Sequence, residues 1–232
     1  MLTIQTKTMC GRYSEKQDLK KVEDQLKLGL SEKAKNWKPS FNIAPSQLAP
    51  VVTSDKPDEI DVFHFGLVPH WAKDKKVGYK MINARSETLL EKPSFKPLVV
   101  NNKRCLVLAD SFFEWKKEGK EKQPFRIYLP EREVFFFAGL WSSWKDPEGE
   151  TYNSYSIITT APNKLLVKIH DRMPVILTRE EEKMWLDPHQ NPKDLLNLLN
   201  AYPADSMDAY EISNEVNKPG NNHPGILDRV SE

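Results

Sequence analysis

The stretch FRIYLPEREVFFFAGL, residues 125–140, contains two apolar runs on either side of a polar segment. Phe125 to Leu129 and Val134 to Leu140 are rich in aromatic and β-branched residues, which favour extended backbone. Pro130-Glu131-Arg132-Glu133 between them has the composition of a turn. We therefore predict two strands joined by this turn, in a protein whose core is mainly sheet.

Shorter runs elsewhere extend the pattern. Further strands are predicted at Ile60 to Phe65, Arg104 to Leu108, Tyr155 to Thr159 and Val175 to Leu177. Two helices are predicted in the first half of the chain: one capped by Ser14 that continues to about Leu28, and a short one from Ser86 to Leu90. Two more are predicted in the second half. The first begins with the capping box of Thr178 and Glu181 and runs toward Trp185, and the second begins at Asn191-Pro192 and ends near Leu199. The expected fold class is α+β, a single compact domain with a mostly antiparallel sheet core and peripheral helices.

Charge and cysteine content limit the functional classes. The 34 basic and 33 acidic residues nearly cancel, so a nucleic-acid site must be a local patch. Two cysteines form neither a disulfide framework nor a metal-ligand pair, which favours a reducing, cytoplasmic setting and predicts no metal or cofactor. The start of the chain lacks a secretory signal and no apolar run approaches membrane-spanning length, so we expect no membrane association.

Cys10 lies before a glycine and among polar residues, whereas Cys105 has the apolar neighbours of a small buried side chain. A cysteine at a true amino terminus carries an amine and a thiol with reference pKa values of about 8 and 8.5. Such an aminothiol forms a Schiff base with an aldehyde, and its sulfur then closes a five-membered thiazolidine ring. This chemistry requires that translation starts at Met9 and the methionine is trimmed, or that the preceding residues are cut off.

Two further residues suit proton transfer. Glu114 is flanked by aromatic residues, which favour a raised pKa through desolvation, although a solvated glutamate at a strand end fits the sequence too. His170 titrates near neutral pH and is followed by Asp171, but a histidine beside an aspartate is often only a surface or structural residue. The residues alone leave both alternatives open.

Two other segments suit nucleic-acid contacts. Asn83 and Arg85 precede a predicted N-cap, so Arg85 either reaches a phosphate or is simply solvated. Trp71 lies near Lys73 and Lys75, a combination that stacks on bases and holds the backbone of single-stranded DNA, although most tryptophans are core residues.

Taken together and in this order, the motifs resemble the SRAP family, the SOS-response-associated peptidase or abasic-site processing proteins. The resemblance runs from Met9 to about Asn217. The matching blocks are Met9 to Arg12, Phe41 to Gln47, Gly66 to Trp71, Ile82 to Thr88, Arg104-Cys105, Ala109 to Trp115, Phe137 to Trp141, Ile157 to Thr160, and His170 to Leu177. The family usually has glycine where Ser111 stands and tyrosine where Phe113 stands.

The resemblance implies a barrel-like, mostly antiparallel sheet with a basic groove leading to the cysteine. It implies that Cys10 is the crosslinking nucleophile and that Asn83, Glu114 and His170 are its active-site companions. Six residues fall where the family contacts DNA or shapes the groove: Arg12, Pro45, Trp71, Arg85, Thr159 and Arg172. The expected domain boundaries are a leader at 1–8, the SRAP domain at 9–217 and a tail at 218–232, loose around 217–222.

The function expected from this resemblance is covalent capture of abasic sites in single-stranded DNA or at single-strand/duplex junctions, with lyase chemistry as a side activity. We expect a cytoplasmic monomer that associates with the nucleoid during repair. Two rivals remain. One is a cysteine peptidase, with its own leader as the plausible substrate, and the other is a noncatalytic single-stranded nucleic-acid-binding module in which Cys10 is only structural.

Overall fold

A computed structural model describes residues 10–230; the predicted leader at 1–8, Met9 and residues 231–232 lie outside this range. Its strands are β1 (Tyr13–Glu15), β2 (Gly29–Leu30), β3 (Ser40–Ile43), β4 (Leu48–Thr53), β5 (Lys56–Phe65), β6 (Asn83–Arg85), β7 (Arg104–Ala109), β8 (Ser111–Glu118), β9 (Glu121–Tyr128), β10 (Phe135–Lys145), β11 (Thr151–Thr160), β12 (Met173–Pro174) and β13 (Asp208–Glu211). The α-helices are α1 (Leu19–Leu26), α2 (Lys96–Val100), α3 (Arg179–Leu186) and α4 (Pro192–Leu195).

Five of these strands close into a barrel. In the order β5, β4, β7, β10 and β11 each strand pairs antiparallel with the next, and β11 returns to β5 in parallel, with Tyr155 opposite Phe65. Alternate barrel residues such as Val107 pack toward the second sheet, and those between them, such as Leu106, pack toward the helices. The barrel-like, mostly antiparallel fold expected from the sequence is confirmed.

The second sheet has the strand order β13-β9-β8-β1-β3. β9 therefore belongs to this sheet and β10 to the barrel, so the two strands predicted from residues 125–140 exist but do not pair with each other. The chain changes sheets again between β7 and β8 at the buried Asp110. Its carboxylate accepts hydrogen bonds from Ser14 Oγ at 2.9 Å and Lys16 N at 2.6 Å, and lies 3.4 Å from Arg126. These contacts attach β1 to β8 and β9.

Of the helix caps predicted from the sequence, those of α3 and α4 are confirmed and that of α1 is wrong. The capping box of Thr178 and Glu181 is present at α3, and Asn191 caps α4, which continues as a 3₁₀ turn over Leu196–Leu198. Ser14 was wrong as a cap: Asp18 caps α1, and Ser14 lies in β1 because its hydroxyl is used in the buried contact with Asp110.

Two predicted elements are shorter than expected. Ser86 to Leu90 forms only a 3₁₀ turn over Ser86–Thr88. The strand predicted at Val175 to Leu177 lies earlier, at Met173–Pro174, and Ile176 makes only an isolated bridge to Phe137. Among residues 10–230, the structure has no helix long and apolar enough to span a bilayer.

The segment expected to be loose around 217–222 is instead fastened to the domain. The Asn42 side-chain amide donates to the carbonyl oxygens of Val216, Lys218 and Asn221 at 2.9–3.2 Å. Farther on, Ile226 is buried against Phe113. The Asn, Pro and Gly content of this segment suggested a loose loop because it does not reveal that Asn42, far away in the sequence, donates hydrogen bonds to the carbonyl groups of the segment. The domain boundaries remain predictions.

A close contact between Gly66 and Gly78 sets the base of the loop that carries Trp71. Gly66 has φ +111°, and a Cβ there would lie 2.6 Å from the Gly78 carbonyl oxygen. We expect Gly66→Ala to lower the free energy of unfolding by about 3 kcal/mol or more, because backbone strain and a backbone clash combine. Gly119→Ala is the control, since Gly119 also has positive φ (+62°) but open space, and should cost only about 1 kcal/mol. Equal losses in urea titrations would contradict this account.

Candidate active site

Strand register brings Cys10 to Glu114. β1 pairs with β8 so that Tyr13 lies opposite Phe112, and continuing this antiparallel register by two residues places Gly11 opposite Glu114. The Cys10 N–H donates to Glu114 Oε1 at 3.0 Å. Cys10 is 4% exposed and has φ +36°, an uncommon conformation for a residue with a side chain. The nitrogen of residue 10 is thus aimed at a buried carboxylate.

The surroundings of Glu114 suit proton transfer near neutral pH. Its side chain is buried within β8, and burial raises the pKa of its carboxyl to about 7, although nearby His170 and the contacts with Cys10 act to lower it. Near neutral pH both protonation states are therefore populated. The raised pKa expected from the sequence is confirmed, and the alternative of a solvated glutamate is wrong.

The Cys10 thiol is held in its neutral form. Burial, and next the negative charge of Glu114, raise the pKa of this thiol well above its ordinary value. The sulfur therefore needs a base to become a good nucleophile, and the carboxylate of Glu114 is beside it.

His170 lies on the other side of Glu114. Its Nδ1 is 3.7 Å from Glu114 Oε2 and 3.5 Å from Asp171 Oδ1. The backbone nitrogen and the carbonyl oxygen of Arg172 lie 3.2 and 3.3 Å from the same ring nitrogen, so Nδ1 either accepts from the first or donates to the second, according to the tautomer. Nε2 makes none of these contacts and is the ring nitrogen left for a bound molecule.

Asn83 completes the cluster from the barrel side. It begins β6, which pairs in parallel with β11 and places Asn83 opposite Ile157. Its Nδ2 donates to the Cys10 carbonyl oxygen at 3.3 Å, while its buried Oδ1 has no hydrogen-bond partner within residues 10–230. A buried acceptor without a partner is costly, so this oxygen is suited to a donor on an incoming molecule.

A cavity of about 920 Å³ opens beside Glu114 and His170, and neither Cys10 nor Asn83 is among the residues that line it. Glu114, His170 and Asp171 line it together with the predicted groove residues Arg12 and Pro45. Among the other lining residues, sequence reasoning assigned no site role to Tyr79, Trp115, Lys117 and Lys122. Only Trp115 stood in a motif quoted for the family, and charged residues around a tight turn otherwise resemble an ordinary solvated hairpin. Within residues 10–230, no group of three or more His, Cys, Asp or Glu side chains is arranged to hold a metal ion.

Three of the predicted DNA-contacting residues are engaged inside the protein. The Arg12 guanidinium donates to Asn42 Oδ1 and to the carbonyl oxygens of Val216 and Asn217, and burial lowers its pKa. The Arg172 guanidinium forms a two-point ion pair with Glu87 at 2.5 and 2.9 Å and donates to the Thr159 carbonyl at 2.7 Å. The Thr159 side chain is buried.

The other predicted contacts are more accessible. Trp71 is 59% exposed, although the neighbouring backbone is fixed by the indole of Trp144, which donates to the Ala72 carbonyl at 2.7 Å. Arg85 is exposed at the end of β6, and Pro45 lies partly exposed on the cavity wall. The structure therefore divides the six residues into three that are accessible and three whose side chains are buried or held by internal contacts.

The buried carboxyl of Glu114 gives a pH-dependent stability change with a defined sign. Its folded-state pKa of about 7 lies above the ordinary 4.5, so the folded protein holds this proton more tightly than the unfolded chain. Stability contributed by this proton is complete below pH 4.5 and is lost as pH rises toward 7, by about 3 kcal/mol in total. Glu114→Gln should therefore stabilise the protein, with a gain that grows between pH 5 and 7.5 in thermal unfolding.

The control for this change is Glu121→Gln, which removes an exposed carboxylate from the same hairpin. This control should alter stability by less than about 0.5 kcal/mol at any pH. A Glu114→Gln gain that stays constant from pH 5 to 7.5 would show that the carboxylate is not penalised by burial.

Comparison with known proteins gives a consistent picture. The family model described as SOS response associated peptidase (SRAP) matches residues 9–219. The abasic site processing protein YoqW of Bacillus subtilis is 47% identical over 224 residues, covering 95% of this chain and 99% of that protein. The abasic site processing protein HMCES of Xenopus tropicalis is 34% identical, covering 82% and 66%. A crystal structure of a Bacteroides thetaiotaomicron protein aligns with a TM-score of 0.87 at 33% identity, covering 96% and 100%. The chain belongs to the SRAP family.

Proposed function

We propose that this protein captures abasic sites in single-stranded DNA through a covalent bond to Cys10, once Cys10 is the amino-terminal residue. The observation that carries the proposal is the 3.0 Å contact between the Cys10 nitrogen and the buried Glu114 carboxylate at an open cavity. The relatives named abasic site processing proteins support it.

The bond-forming steps use the two nucleophiles of one residue. The Cys10 amine attacks the aldehyde carbon of the opened sugar, and loss of water from the adduct gives a Schiff base. The Cys10 sulfur then adds to the imine carbon while the imine nitrogen takes up a proton, which closes a thiazolidine ring. Glu114 accepts a proton first from the amine and later from the thiol, and its pKa of about 7 suits both transfers.

His170 and Asn83 act on the sugar. An abasic deoxyribose is mostly a closed hemiacetal, which exposes no aldehyde until its ring opens. His170 serves as acid and base at the sugar oxygens through Nε2. Asn83 holds the Cys10 carbonyl through Nδ2 and accepts a hydrogen bond from the bound sugar at its unpartnered Oδ1, which fixes both reactants.

Binding of the strand is independent of sequence. Arg85 contacts a flanking phosphate, and Trp71 occupies the place of a stacked base, which favours a single strand or a single-strand/duplex junction. Arg12, Pro45 and Thr159 shape the groove, and Arg172 contacts the backbone by sharing its Glu87-bound guanidinium with a phosphate. The protein acts as a monomer in the cytoplasm, on nucleoid DNA.

Peptidase activity fits as a maturation step. The peptide bond to be cut joins residue 9 to the nitrogen of Cys10, and this nitrogen is the atom hydrogen-bonded to Glu114. The Glu114 carboxyl in its protonated form can therefore supply the proton that the leaving nitrogen needs. The thiol attacks the preceding carbonyl, the acyl group passes to sulfur, and water releases it. Lyase chemistry arises separately, when the Schiff base loses the 3′ phosphate by β-elimination before the ring closes.

The decisive test uses Cys10→Ser in a protein that begins at residue 10. This variant keeps the amine and cannot form a thiazolidine, so we expect binding to survive while the adduct becomes labile to heat. Intact mass and denaturing gels after incubation with abasic single-stranded DNA measure both. Cys105→Ala is the matched control, since Cys105 is buried in the barrel, and it should crosslink like the unaltered protein.

Intact mass measured on the chain that begins at Met1, incubated with the same DNA, separates the rivals. Crosslinking adds the mass of the oligonucleotide, self-cleavage without crosslinking removes only the residues before Cys10, and a binding module changes neither mass. A heat-stable adduct with Cys10→Ser, or with a protein that retains residues before Cys10, would overturn the proposal.

His170→Gln tests the ring-opening step. We expect crosslinking to a natural abasic site to slow by about 100-fold or more, the usual contribution of a positioned acid or base. An oligonucleotide bearing an aldehyde that cannot cyclise bypasses this step, and the variant should then react within a few-fold of the unaltered protein. Equal slowing on both substrates would assign His170 to bond formation and not to ring opening.

A further inference from the structure

The β8–β9 hairpin carries a charge arrangement that the chemistry of Cys10 does not use. Register pairs Lys117 directly with Lys122 and Glu118 with Glu121. Because side chains alternate along a strand, the two lysines share the face that bears Trp115, and the two glutamates lie on the other face. The hairpin thus separates its charges by face.

The lysine pair is electrostatically unfavourable in isolation. Like charges directly opposite each other across two strands destabilise a sheet. On the other face Lys116 offsets Glu118 through an ion pair at 2.7 Å. The side-chain ammonium of neither Lys117 nor Lys122 makes a hydrogen bond or an ion pair with any residue in the range 10–230. An anion between the two ammonium groups would turn this repulsion into attraction.

The pair lies where such an anion would be part of the substrate. Lys117 and Lys122 line the same 920 Å³ cavity as Glu114 and His170. Trp115 lines the same cavity and is held in place because its indole nitrogen donates to Asn217 Oδ1 at 2.6 Å. Arg12 also lines the cavity but is engaged in internal contacts, so these lysines are the cations of the cavity wall best placed to move onto a polyanion.

We propose that Lys117 and Lys122 form a phosphate clamp, which holds the DNA backbone on one side of the captured nucleotide. The clamp rests on the proposed function and adds a binding site to it. Lysine suits this role because its compact ammonium, on a long stem, adapts to phosphates of a flexible strand whatever the base sequence. The clamp also supplies the local positive patch that a nearly neutral chain needs.

The test compares two double variants of one hairpin. Lys117→Gln/Lys122→Gln removes the clamp, and Lys116→Gln/Lys120→Gln removes the same charge from lysines that do not line the cavity. The probe is a single-stranded oligonucleotide with a tetrahydrofuran in place of the abasic sugar, which binds but cannot crosslink. Loss of the clamp should flatten the slope of log affinity against log salt by at least about 0.7, the value for one phosphate on a single strand.

Shortened probes locate the clamped phosphates. Removing nucleotides from one side of the tetrahydrofuran should weaken binding of the unaltered protein and leave the clamp variant unaffected, and the sensitive side gives the polarity.

The outcomes separate the two proposals. An unchanged salt slope, or an equal change in both double variants, would overturn the clamp even if the unaltered protein crosslinks normally. A flattened slope only in the clamp variant would support the clamp even if no crosslink ever forms, in which case the proposed function alone fails.

Discussion

The hydrogen bond between the Cys10 nitrogen and the Glu114 carboxylate is the contact that the surrounding structure maintains. β1 lies between β3 and β8, which fixes the approach of residue 10 to the strand that carries Glu114. Arg12, two residues after Cys10, donates hydrogen bonds to the carbonyl oxygens of Val216 and Asn217. The C-terminal part of the chain therefore also helps to hold residue 10 near Glu114. Burial raises the pKa of the Glu114 carboxyl to about 7, and it raises the pKa of the Cys10 thiol so that the thiol stays protonated until a base removes its proton.

This region is costly in stability, which is typical of a site selected for chemistry. Three buried carboxyl groups lie in or next to β1: Glu15, Asp110 and Glu114. Burial, and then the proximity of Asp110, raise the pKa of Glu15 to about 8, whereas Asp110 is compensated by Arg126 and by serine hydroxyls. Cys10 adds an unfavourable backbone conformation. The closed barrel beside them, apolar on both faces of its strands, offsets these costs.

Local chemistry could be predicted from the sequence, and long-range pairing could not. The capping box at Thr178 depends on four consecutive residues, and apolar runs such as Arg104 to Leu108 identify strands. Ser14 was misassigned because its partner, Asp110, is 96 residues away. Sequence patterns also do not say that β9 and β10 join different sheets, since each run by itself satisfies the pattern of a strand and neither identifies its partner strand. The cluster of Cys10, Asn83, Glu114 and His170 was accessible only through family resemblance, and Lys117 with Lys122 gained meaning only once their register and cavity were known.

The parallel pairing of β11 with β5 has a consequence for the order of events during synthesis. The barrel closes only when Tyr155 reaches Phe65, and His170 and the Val216 segment follow later still. A chain emerging from the ribosome therefore exposes Cys10 first, before Asn83, Glu114 and His170 have been brought together around it. Under the proposed function, assisted reaction of Cys10 with an aldehyde is thereby confined to the complete polypeptide.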